Sequence, residues 1–88
     1  MREILAALID DTSVQIHNLE TAIREQDPSK CARLAHYSKG ACANVGANRA
    51  ATVLKQIERE ASSGHLQECG ASLATLAMEL DRLRGELK

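Results

Sequence analysis

His36 is followed three residues on by Lys39 and four on by Gly40, within the run LAHYSKGACANVGA. Neutral imidazole is a nucleophile, and its ordinary pKa of about 6.5 leaves it mostly neutral near pH 7. A lysine one helical turn along sets a positive charge where the oxygens of a phosphoryl group on that ring would lie. It favours the neutral imidazole and offsets the charge of an adduct. The chemistry within reach is acceptance of a phosphoryl group. No Gly-rich phosphate loop accompanies it, so an autonomous kinase is excluded.

The surroundings of His36 sharpen this reading. At about 100° per residue, Cys31, Leu34, Ala35, Ser38, Ala41, Cys42 and Val45 share one side of a helix. His36 lies roughly 160° from the centre of that stripe and faces solvent. Its neighbours on the outer face are Ala32, Gly40 and Ala43, with Lys39 to one side. An exposed mid-helix glycine costs about 1 kcal/mol relative to alanine. Access to the ring nitrogen from outside is a reason to keep it, because a partner can then sit flush against the helix.

Four helical segments position these residues. The first runs over 2–26 and places Leu5, Leu8, Ile9, Ile16, Leu19 and Ile23 on one stripe, with Thr12 between turns. Asp27-Pro28 ends it and starts the second, 28–45, because Asp caps well and Pro suits the first helical position. Gly46 is the stop before the third, 47–62, which buries Val53, Leu54 and Ile57. Ser63-Gly64 precedes the fourth, 65–87. Its Leu66, Cys69, Leu73, Leu76, Leu80, Leu83 and Leu87 recur at alternating steps of three and four. Short connections make successive helices antiparallel neighbours. The expected fold is one all-α domain over 1–88, an antiparallel up-down four-helix bundle, with a dimerising coiled coil along the last seam as the alternative.

Composition narrows the classes further. The 88 residues include no Phe or Trp and one Tyr, so the core is built from Leu, Ile, Val and Ala. A net charge of −1 without a Lys/Arg cluster argues against nucleic acid. The longest strictly apolar run, ILAALI at 4–9, is too short to span a bilayer, and no signal peptide is expected. Cys31, Cys42 and Cys69 show no CxxC spacing and read as buried reduced thiols of a cytoplasmic protein. No Asp or Glu stands three before a His, so a carboxylate-bridged metal bundle is not supported and no metal is expected. His17 and His65 lack the setting of His36 and read as solvated. Arg33 and Arg49 read as solvated or as contacts to an acidic rim.

The run LAHYSKGACANVGA resembles the signature of histidine-containing phosphotransfer (HPt) domains: His, then Lys and Gly at plus three and plus four, then Gly at plus ten. The Asp-initiated helix before it is similar too, as is VLKQIE, which ends in Glu58 and resembles the apolar-apolar-Glu pattern of the next helix. The likeness covers essentially the whole chain. It departs at Ser38, where the family usually has a large apolar residue, and in lacking residues for a further short leading helix. A stand-alone protein and a piece of a longer hybrid sensor kinase are both compatible with that.

The resemblance implies a phosphocarrier of bacterial two-component relays. His36 would accept a phosphoryl group on Nε2 from a receiver-domain aspartyl phosphate and pass it to the aspartate of a response regulator. Lys39 would stabilise the phosphoryl charge. Glu58 stands either as an imidazole-orienting carboxylate or as a surface ion-pair partner. Ala32, Gly40, Ala43 and Ala47 would form the docking platform. No cofactor of its own is implied, Mg²⁺ belonging to the partner receiver. The implied partners are response-regulator receiver domains and a hybrid histidine kinase, met as a monomer. A non-catalytic helical interaction or dimerisation module is the competing reading.

Overall fold

The computed structural model describes residues 2–86. The side chain of Leu5 and the whole of Leu87, both assigned above to apolar stripes, lie outside the described residues. Four helices follow in order: α1 (Arg2–Arg24), α2 (Pro28–Asn44), α3 (Asn48–Ser62) and α4 (Leu66–Glu86). No strand occurs among the described residues. Each helix packs against two others in the ring α1, α2, α3, α4 and back to α1. The longest dimension, 37 Å, is close to the length of a 23-residue helix at about 1.5 Å per residue, so the helices lie along a shared axis.

The three connections are built alike. At the end of α1, the Asp27 N–H donates to the Ala22 carbonyl (2.9 Å) and the Gln26 N–H to that of Ile23 (3.1 Å). Ala47 to Cys42 and Gly46 to Ala43 repeat this after α2, as do His65 to Glu60 and Gly64 to Ala61 after α3. This is the Schellman closure, which needs a left-handed residue at its corner. Gly46 (φ 79°) and Gly64 (φ 81°) supply it freely, while Gln26 (φ 55°) adopts it with a side chain in place. Asp27 then caps α2 by accepting from the Lys30 N–H at 3.1 Å, with Pro28 in the first turn.

The core takes Leu8, Ile9 and Leu19 from α1, and Cys31, Ala35 and Cys42 from α2. From α3 come Leu54 and Ile57, and from α4 Cys69, Leu73, Leu76 and Leu80. Each fully buried leucine contributes about 1.5–3 kcal/mol relative to exposure. Val53, expected inside, is only partly buried against this cluster. Of the α4 seam, Cys69, Leu73, Leu76 and Leu80 are buried within the chain's own bundle, with Leu66 and Leu83 partly buried against it. Two core hydroxyls, Thr12 Oγ1 and Ser38 Oγ, have no hydrogen-bond partner among the described residues. Ser38 therefore sits inward without bonding the preceding turn, where a larger apolar side chain would pack more fully.

Candidate functional site

α2 carries the site on its outward face and α3 completes it. The His36 side chain is 69% exposed. Its Nδ1 lies 3.0 Å from Glu58 Oε2, contributed by α3 across the interhelical groove. The other carboxylate oxygen, Oε1, accepts from Lys39 Nζ at 2.8 Å. One glutamate thus links the imidazole to the lysine one turn further along the same helix. The two basic groups differ in setting, since Lys39 is 29% exposed.

The two basic neighbours favour the ionised form of Glu58. The hydrogen bond from the Lys39 ammonium, foremost, holds the Glu58 carboxyl below its ordinary value of 4.5; burial opposes it, and the weaker hydrogen bond from His36 adds to the lowering. An ionised carboxylate only accepts hydrogen bonds. In the neutral ring the proton must therefore sit on Nδ1, donated to Glu58, and Nε2 keeps its lone pair. That lone pair points away from Glu58 on an exposed ring, which makes it a presented nucleophile.

The face around it is open. A Cβ built at Gly40 meets nothing within 4 Å, so close helix packing does not explain this glycine. Ala43 is exposed beside it, and Ala32 is half-buried at the edge of the core. Ala47 corrects the expected platform. It is 7% exposed and caps α3, with its N–H bonded to Cys42 and its carbonyl accepting from Ala51. The wheel of α2 does not run through the corner at Gly46, and the turn carries Ala47 inward.

The Lys39 ammonium, on the side of the helix nearest His36, rests on Glu58. Tyr37, to which the sequence pattern assigns no role, is 58% exposed directly after His36. Its signal in the sequence is that it is the chain's single aromatic residue and adjoins an outward histidine. His17 is exposed on α1, and His65 Nδ1 lies a loose 3.7 Å from Glu68 Oε2. Arg33 is exposed, and Arg49 reaches Glu79 at 3.8 Å. Among the described residues no three His, Cys, Asp or Glu are grouped to hold a metal ion. Among them, too, no helix is long and apolar enough to cross a membrane.

The structure is a four-helix bundle that displays an exposed imidazole, tied to Glu58 through Nδ1, on a bare helix face. Comparison with protein families agrees: the Hpt domain model matches residues 3–86. The chain belongs to the Hpt domain family. Hpt domains are phosphocarriers of histidine phosphotransfer in phosphorelay signalling, not autonomous kinases. No curated protein and no solved structure matches the chain.

Proposed function

We propose that His36 is the phosphoacceptor of a multistep phosphorelay and that Nε2 is the atom loaded. The observation that carries this is the Nδ1–Glu58 contact, which in the neutral ring places the proton on Nδ1 and leaves the Nε2 lone pair free. The Nε2 lone pair attacks phosphorus in the aspartyl phosphate of a receiver domain. The N–P bond forms as the acyl O–P bond breaks, and the aspartate leaves as its carboxylate. Nδ1 keeps its proton, and Glu58 faces the positive charge that develops on the ring. The same steps in reverse deliver the group to the aspartate of a second response regulator. Mg²⁺ is supplied by the receiver in both directions.

Lys39 holds Glu58 through one N–H and keeps two further donors that can reach the phosphoryl oxygens. Gly40 and Ala43, with Ala32 at their edge and Tyr37 alongside, form the surface on which a receiver sits. An aromatic beside small residues suits a modest, reversible interface. The helices run alternately up and down. Supporting this, Ser13 of α1 meets Arg84 of α4, while Ile23 shares a groove with Gly70 near the other end. The carrier works in the cytoplasm as a monomer between a hybrid histidine kinase and its response regulator, because the leucine seam that would pair two chains faces its own core.

The test is intact-mass spectrometry after mixing the protein with a phosphorylated receiver domain and Mg²⁺. One added phosphoryl group, acid-labile, alkali-stable and absent from His36→Gln, is the expected result. No adduct with several receivers, while the protein stays folded, removes the carrier reading.

A further inference from the structure

The net charge of −1 conceals a division. Residues 28–62, which form α2 and α3, hold six Lys or Arg and two Glu, a balance of +4. The rest of the chain, mainly α1 and α4, holds five Lys or Arg and ten Asp or Glu, a balance of −5. Within α2 there is no acidic residue at all. In the ring of helices α2 and α3 are neighbours, as are α1 and α4, so the two balances lie on opposite sides of the bundle. His36 stands on the positive side.

The free charge on that side is more lopsided than the count. Of its two acids, Glu58 is held by Lys39 and His36. Glu60 turns toward α4, accepting from Ser72 Oγ at 2.8 Å and from Gln56 Nε2 at 3.0 Å. Lys30 and Arg49 reach away from the site to Glu25 and Glu79, each at 3.8 Å. Arg33, Lys55 and Arg59 are exposed and have no ion-pair or hydrogen-bond partner among the described residues. Arg33 stands one turn before His36 on α2 and about 60° round the helix from it. Lys55 is one turn before Glu58 on α3 and Arg59 directly follows it, and both lie further round toward solvent than Glu58 does. Three unpaired cations thus border the imidazole and its carboxylate.

What meets this border follows from the carrier reading of His36, on which the inference rests. The partner holds Mg²⁺ beside an aspartyl phosphate, and Mg²⁺ is a hard cation bound through carboxylate oxygens. Its reacting face is therefore acidic. We propose that Arg33, Lys55 and Arg59 form a cationic rim that docks the acidic face of a receiver domain, while the negative side of the bundle turns the same partner away. The rim acts on encounter and register and does not touch the transferred group. Opposed patches of unlike charge raise the association rate and suppress docking on the wrong face. Nucleic acid suits the rim less well, since three cations around a glutamate fall short of the roughly six to ten phosphate contacts of a backbone binder.

The experiment titrates the isotope-labelled full chain with a set of receiver domains and Mg²⁺, following backbone amide shifts at low and high salt. The expected shifts centre on α2 and α3 around the rim, and Kd weakens about tenfold between roughly 50 mM and 500 mM salt. Reversing the rim, with Arg33→Glu, Lys55→Glu and Arg59→Glu together, weakens low-salt binding about a hundredfold. Reversing the far side, with Asp10→Lys and Glu20→Lys, changes it less than about twofold. All five side chains are exposed or solvent-facing, so helicity and Tm stay close to those of the unmodified protein. Phosphoramidate loads a histidine without docking and so tests the carrier reading separately; rim reversal leaves that loading unchanged. Binding by no receiver, shifts centred on α1 and α4, a Kd indifferent to salt, or equal effects of the two reversals each overturns the proposal. So does a double-stranded oligonucleotide that gives the same shifts with a tighter Kd.

Discussion

His36 and His65 are each paired with a glutamate, but the two pairs are built differently. Glu58 comes from another helix, 22 residues away in sequence, and is itself held by Lys39 at 2.8 Å. Glu68 stands one turn from His65, both are more than 60% exposed, and their separation is 3.7 Å. Plus three and plus four from His36 are Lys39 and the open Gly40; from His65 they are Glu68 itself and the buried Cys69. A surface pair of the second kind contributes little and fixes no geometry. A histidine becomes a presented nucleophile when its partner is immobilised and the space around its free nitrogen is cleared.

The largest effect separates the two histidines outright. His36→Gln should abolish receiver-dependent phosphorylation with helicity and Tm nearly unchanged, while His65→Gln should retain full labelling. Labelling that survives in His36→Gln, or that disappears with His65, reverses the comparison.

Gly40→Leu tests the cleared space. With nothing within 4 Å of a Cβ there, the variant should gain a few degrees in Tm from helix propensity. Phosphotransfer should meanwhile fall about a hundredfold as the docked partner is displaced. A more stable protein with unchanged transfer would mean that no partner approaches along this face.

Immobilising the partner matters less than the nucleophile itself. Glu58→Ala should slow transfer about tenfold, as removal of an orienting carboxylate does elsewhere. Glu58→Gln, whose amide oxygen can still accept from Nδ1, should recover part of that rate, and Glu68→Ala should change nothing. Equal rates for Glu58→Ala and the unmodified protein in stopped-flow transfer would reduce the contact to a surface pair like the other.

The smallest effect lies in pH. The folded Glu58 carboxyl sits below 4.5, so the unfolded chain takes up its proton first. Its pairings with Lys39 and His36 therefore stabilise the fold fully above pH 4.5, and that contribution fades as pH falls through the lowered folded value. Glu58→Gln should flatten this acid limb of Tm against pH, and an unaltered limb would show that the carboxylate is not linked to stability.

Local signals in the sequence carried most of the architecture. Asp27-Pro28, Gly46 and Gly64 mark corners because capping and left-handed backbone depend on the residue at the spot. The spacing of Leu73, Leu76 and Leu80 marks an inward seam for the same reason. His36 was legible as outward because a wheel holds within one helix. What was not legible depends on another helix or on the path of a turn. Lys39 has a long side chain, and only the approach of α3 decides that it rests on Glu58. Ala47 turns inward because the corner at Gly46 breaks the wheel.

The three Schellman corners have a further consequence, one of phase. Because each corner has a fixed shape, it absorbs no change in helix length. One residue inserted in α3 between Asn48 and Glu58 would rotate Glu58 by about 100° from His36, while one placed beyond Glu58 would spare the pair. The count of residues from Gly46 to Glu58 is therefore as much a property of the site as the carboxylate it delivers.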